Sequence, residues 1–154
     1  MIISEPISDI MQLPVLYKTA REALELMFDD RYTAGNVRRV DELRLPLLLK
    51  KLEDRTDLVS PELKKLARHD KEKGTQFCET LYLYLCCNRS LAKTGDMLYT
   101  HRNTILYRLR KMRDEFGVPL DDKSSHTELL LGVSVLLFAD RGAEFFMSGI
   151  GAGE

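Results

Sequence analysis

Apolar residues recur at helical intervals along most of this chain. In PVLYKTAREALELMFD (14–29), Leu16, Ala20, Ala23, Leu24 and Met27 share one side of a helix that Pro14 is suited to begin. RYTAGN (31–36) interrupts the pattern, VRRVDEL (37–43) suits a short strand, and Leu45 to Leu52 suits a helix. The polar stretch LEDRTDLVSPE (52–62) reads as a linker or hinge.

From Ser60 onward the helix signals are closely spaced. Ser60, Pro61 and Glu62 supply a capping residue, a proline at the first helical position and an early acid. That helix should reach Lys73 and stop at Gly74 in a left-handed terminator. Thr75 can cap the next helix, whose inner side holds Phe77, Leu81, Tyr84 and Leu85. NRSLAKTGDML (88–98) predicts a short helix, with Tyr99 and Thr100 as the break before another. Past Gly117 and Pro119, Ser125 and Glu128 form a capping-box pattern ahead of a helix that ends near Ala139 or Asp140. Residues 142–154 read as a flexible tail.

The helix predicted over about 101–115 has a distinctive wheel. Ile105, Leu109, Met112 and Phe116 gather in one narrow inward sector. Asn103, Tyr107 and Arg110 lie opposite, flanked by Thr104 and Lys111 on one side and by Arg102 and Arg113 on the other. Thr100 can cap its start, leaving free N–H groups and the positive dipole end near His101 and Arg102. Upstream, Gly95 on the short helix allows two helices to cross closely, as in a helix-turn-helix. In that arrangement the second helix enters the major groove, where Arg can bond guanine and Asn adenine. Leu106 is an apolar residue close to that groove-facing side.

Charge sharpens this picture. The chain has 154 residues and a formal net charge of -1. Yet residues 100–113 hold 5 basic side chains and no acidic one, whereas residues 114–154 hold 2 basic and 8 acidic. The positive field is therefore local, which suits one recognition element and argues against general coating of nucleic acid. A basic face can also meet an acidic protein surface. A helical dimerisation or protein-interaction module is therefore the alternative reading.

Other chemistries find little support. His69, His101 and His126 and the three cysteines never reach a metal-ligand spacing. Adjacent Cys86 and Cys87 read as thiols in or near a core, in a reducing cytoplasm. There is no nucleophile elbow, P-loop or GxGxxG run, so no cofactor is expected and the chain does not read as an enzyme. Asp121 and Asp122 suit a helix start better than a catalytic pair. The run LLLGVSVLLFA (129–139) falls far short of the ~20 residues that cross a bilayer, and the N-terminus lacks a signal-peptide pattern.

Residues 70–137 resemble the C-terminal DNA-binding domain of the PucR/CdaR family of bacterial transcription regulators. The likeness rests on the GT…ETL…YL run at 74–85, HRNT-x-x-YRL at 101–109, and G-x-x-L-D-D at 117–122. It implies a mainly α fold, a helical bundle containing a helix-turn-helix, with a short α/β remnant at the N-terminus. Residues 1–55 would be the tail of a degenerate GGDEF-like domain, and 60–141 the DNA-binding domain. A strand at 37–43 would then lack its family partners and be unpaired, swapped between chains or refolded, and the upstream effector domain would be missing from this chain. Where the family more often has a capping residue at Ala92, Ser90 is expected to cap instead.

The resemblance implies double-stranded operator DNA as partner, a homodimer, and a cytoplasmic location without membrane contact. Carried over by position, it places Arg102, Asn103 and Tyr107 against bases or nearby phosphates. Thr104, Arg108, Arg110 and Lys111 become phosphate contacts, and His101 holds the helix start. Arg108 lies nearer the inner sector, which leaves a structural role open for it. Arg89 and Lys93 could also reach the DNA backbone.

Overall fold

The computed structural model describes residues 1–28 and 37–147, so RYTAGN and the last residues of the expected tail lie outside it. The N-terminal part holds β1 (Ile2–Ile3), α1 (Leu13–Met27), β2 (Arg38–Arg39) and α2 (Arg44–Leu52). A 3-10 stretch, Glu53–Leu58, leads to α3 (Pro61–Lys73), α4 (Phe77–Cys86), α5 (Leu91–Met97), α6 (Arg102–Phe116), α7 (His126–Arg141) and α8 (Glu144–Met147). The fold is mainly α, with a tiny parallel sheet in which Ile2 faces Arg38 and Ile3 faces Arg39. The segment 37–43 is therefore neither unpartnered nor a full strand. After two residues it tightens into a 3-10 turn, because Leu43 turns inward and is fully buried.

Helix α4 is the centre of the bundle, with α3, α5, α6 and α7 packed around it. The expected inner face of Phe77, Leu81 and Leu85 is buried, but so are Cys78, Thr80, Tyr82 and Leu83. A helix packed by four others keeps little outer side, here only half-buried Tyr84 and exposed Cys86, so its pattern carries little 3.6-residue signal. Glu79 is buried with it, and its Oε2 lies 3.2 Å from Arg141 Nη1. His69 stacks on Phe77 with ring centres 5.3 Å apart, and Phe116 meets both edge-on, tying α3, α4 and α6 together.

Several expected caps are made by other residues. Ser60 leaves its hydroxyl buried with no hydrogen-bond partner among the described residues, and Pro61 and Glu62 stand in the first turn as expected. Thr75 does not cap α4. Asp70, on the preceding helix, accepts from Phe77 N–H at 2.9 Å and Cys78 N–H at 2.7 Å, and Thr75 donates its hydroxyl to the same carboxylate. The carboxylate gives one oxygen to each N–H group, and its charge makes both bonds stronger than those to a neutral hydroxyl. The Ser125 capping box is also absent, since Ser125 Oγ donates to Asp122 at 2.7 Å. Gly74 does end α3 with φ 64°.

Two stretches expected to be loose are packed instead. Glu53–Leu58 packs against α7 and Val59 after it is buried, so this stretch is held against the bundle although none of its own residues is buried. Residues 142–147, expected as flexible tail, instead place Ala143 and Phe145 in the core, with Phe145 and Phe146 edge-on to Tyr82. Cys78 is buried, whereas Cys86 is exposed and Cys87 half-buried. Leu24, expected inward on α1, points out, and Leu26 takes its place. The N-terminal part leaves Ile10, Met11, Val15, Tyr17 and Phe28 exposed, an apolar surface larger than scattered residues explain. No described helix is long and apolar enough to cross a membrane.

Candidate nucleic-acid interface

The chain leaves α4 through two left-handed residues, Asn88 (φ 51°) and Arg89 (φ 63°), and enters α5 at Ser90. Ser90 Oγ accepts from Lys93 N–H at 3.4 Å, as expected from its position. Arg89 does not extend outward. Its guanidinium donates to the carbonyls of Leu120 at 2.6 Å and Asp122 at 3.2 Å, bracing the loop that follows α6.

The turn between α5 and α6 is held by two backbone bonds, Tyr99 N–H to Asp96 O at 3.2 Å and Thr100 N–H to Gly95 O at 2.8 Å. This paired closure is the Schellman arrangement. Gly95 is needed for a second reason: a Cβ there would stand 2.7 Å from the Thr100 carbonyl oxygen. Helix α6 begins at His101, not Thr100, with Asn103 N–H donating to His101 Nδ1 at 3.2 Å.

Ile105, Leu109 and Met112 are buried against α4, as the wheel predicted. The polar residues of α6 divide into two sets. Arg108 Nη1 donates to Thr80 Oγ1 at 2.8 Å, and Nη2 lies 3.5 Å from Gln76 Oε1. Lys111 sits 5.8 Å above the Phe77 ring and 3.6 Å from Glu115. Arg113 pairs with Asp114 at 2.9 Å and Asp121 at 3.7 Å. Arg102, Asn103, Thr104, Tyr107 and Arg110 form the other set. All five are exposed, and none of their side chains makes a hydrogen bond or ion pair with another described residue.

Two helices joined by a tight turn, with the second presenting an unpaired polar face, is the geometry of a helix-turn-helix. The sequence of residues 77–135 matches the PucR C-terminal helix-turn-helix domain. These residues form a domain of that family. The PucR-type domain thus spans α4 through most of α7 and contains the whole α5–α6 pair.

Longer curated relatives agree. The chain is 27% identical over 128 residues to the proline-responsive transcriptional activator PutR of Bacillus subtilis (strain 168), covering 79% of this chain and 31% of that protein. It is 30% identical over 135 residues to the purine catabolism regulatory protein of the same organism, covering 85% of this chain and 25% of the relative. An uncharacterised protein of Haemophilus influenzae is 30% identical over 118 residues, 73% of this chain and 31% of its own. The chain thus spans between a quarter and a third of the length of these relatives. No solved structure matches it.

One exposed residue escaped the sequence reading. Tyr99 is 97% exposed, with φ 50°. The available signal was its position as the first residue after a helix that Gly95 helps to close, a place where glycine is usual.

Proposed function

We propose that this chain is the DNA-binding part of a bacterial transcription regulator and that α6 lies in the major groove of double-stranded operator DNA. The observation that carries the reading is the division of polar residues on α6. Five exposed donors and acceptors sit together without internal partners, at the start and outer side of a rigidly seated helix.

Arg102 and Asn103, in the first turn, take the base edges; Thr104, Tyr107 and Arg110 take phosphate or sugar, and His101 fixes where the helix begins. Arg108 and Lys111 are better described as positioning residues, since both are engaged with α4. One recognition helix spans few base pairs, which favours a homodimer on two half-sites. Residues 1–55 are the end of a GGDEF-like domain whose remaining sheet would cover the apolar surface around α1, with an effector domain further upstream. The regulator works in the cytoplasm, and no reaction is assigned to it.

The test is fluorescence anisotropy with a duplex selected by this chain from a bacterial promoter library, titrated over salt. Asn103→Ala should lose roughly 1–3 kcal/mol of preference for the selected duplex. Arg110→Ala should weaken every duplex alike and reduce the salt slope by about 1. Equal binding of all sequences by wild type and both variants would overturn the reading.

A further inference from the structure

Among the described residues, three other than glycine hold a positive φ: Asn88, Arg89 and Tyr99. Such a conformation brings Cβ against the backbone and costs free energy for any side chain except glycine, least for Asn. Asn88 is thus the tolerant type. Arg89 has compensation inside the fold, through its two bonds to the loop after α6. Tyr99 has no such side-chain compensation: its side chain makes no hydrogen bond, ion pair or ring contact with a described residue, and it is 97% exposed.

The backbone at Tyr99 is nevertheless well determined. It occupies the left-handed position of a Schellman closure, and the carbonyl next to it is packed against Gly95. Glycine would satisfy that backbone better. A tyrosine here is less favourable than glycine, and its solvent-exposed side chain is carried on a fixed backbone three residues ahead of Arg102. The two closure bonds hold the backbone, but no described residue engages the side chain, and a residue kept at such a position without an internal role points to a contact outside the fold.

We propose that the Tyr99 hydroxyl donates a hydrogen bond to a phosphate oxygen of the DNA strand bordering the groove that α6 enters, an inference that rests on the DNA-binding reading above. The chemistry suits the place. Phenol is a neutral donor of suitable reach, and such phosphate contacts set register on the duplex without reading sequence. A fixed backbone at the turn means that little freedom is lost when the contact forms.

The experiment compares wild type, Tyr99→Phe, Tyr99→Gly and Asn103→Ala on the selected duplex and on a scrambled duplex of equal length, with thermal melting alongside. Tyr99→Phe should bind both duplexes roughly two- to tenfold more weakly, the range for one net hydrogen bond. Its salt slope should be unchanged, since no charge is removed, and its melting temperature should match wild type. Tyr99→Gly should melt at or above wild type yet bind no better than Tyr99→Phe. If Tyr99→Phe binds as wild type while Asn103→Ala loses preference, the phosphate contact is wrong and the DNA-binding reading stands. If wild type itself shows no preference between duplexes, both fall.

Discussion

Arg102 and Arg108 lie on the same helix and meet opposite surroundings. Arg108 reaches back across α4 to Thr80 and Gln76, and its charge serves the packing of α6. Arg102 faces solvent with no internal partner. The same contrast separates Lys111, held over Phe77, from Arg110, which is exposed and unpaired. Residue type and overall basicity therefore say little about which cations are available to a ligand. What decides is the angle at which each leaves a helix whose inner face is already committed to the core.

The sharpest way to break the contrast is to remove the inner face. Met112 is fully buried, so Met112→Ala should cost about 2–5 kcal/mol of stability, read from urea unfolding, and abolish DNA binding with it. Next is Gly95→Ala, whose methyl would stand 2.7 Å from the Thr100 carbonyl oxygen. Overpacking against backbone should cost roughly 1–3 kcal/mol and rotate α6 away from its seat, so affinity should fall further than stability alone accounts for.

The direct comparison is the pair of arginines. Arg108→Ala should lower stability by about 1–2 kcal/mol, as expected for one charge-assisted bond to a buried hydroxyl. Arg102→Ala should leave unfolding within about 0.5 kcal/mol of wild type while weakening the selected duplex. Equal behaviour of the two variants in unfolding and binding would erase the division on which the functional reading depends.

The smallest effect concerns the loop that Arg89 braces. The Asp122 carboxyl is held below the usual carboxylate range, first by the Ser125 hydroxyl and then by the hydroxyl and N–H of Ser124. A carboxyl depressed in the folded state stabilises fully above its unfolded value, near about 4, and loses that contribution as pH falls through the folded value. Acid unfolding of Asp122→Asn should accordingly show a shallower decline below about pH 4 than wild type.

Much of the site was legible without coordinates. The inward stripe Ile105, Leu109, Met112 is a pure periodicity signal, and the crossing at Gly95 follows from one small residue beside a short turn. Ser90 as a cap was also readable. Thr75, Thr100 and Ser125 were each expected to cap the nearest helix, and none does: Asp70 takes the N–H groups of α4, His101 caps α6, and the Ser125 hydroxyl turns back to Asp122. At α4 a carboxylate several positions away competes once folding brings it to the helix end. Likewise α4 concealed how much of it is buried, because enclosure on nearly every side leaves little alternation to detect.

What the amino-acid order determined by itself is local: where helices start and stop, which stripe of α6 is apolar, and that positive charge concentrates in one segment. Those properties depend on neighbours within a few residues along the chain, through backbone hydrogen bonding and helical spacing. The tertiary structure alone decided which cations remain unpaired among the described residues, that Arg89 and Arg108 brace the bundle, that Ala143 and Phe145 join the core, and that Tyr99 stands left-handed and exposed at the turn. Each of these depends on groups that approach only after the helices pack. An arginine becomes a brace or a contact according to whether a carbonyl or hydroxyl from another helix lies within its reach.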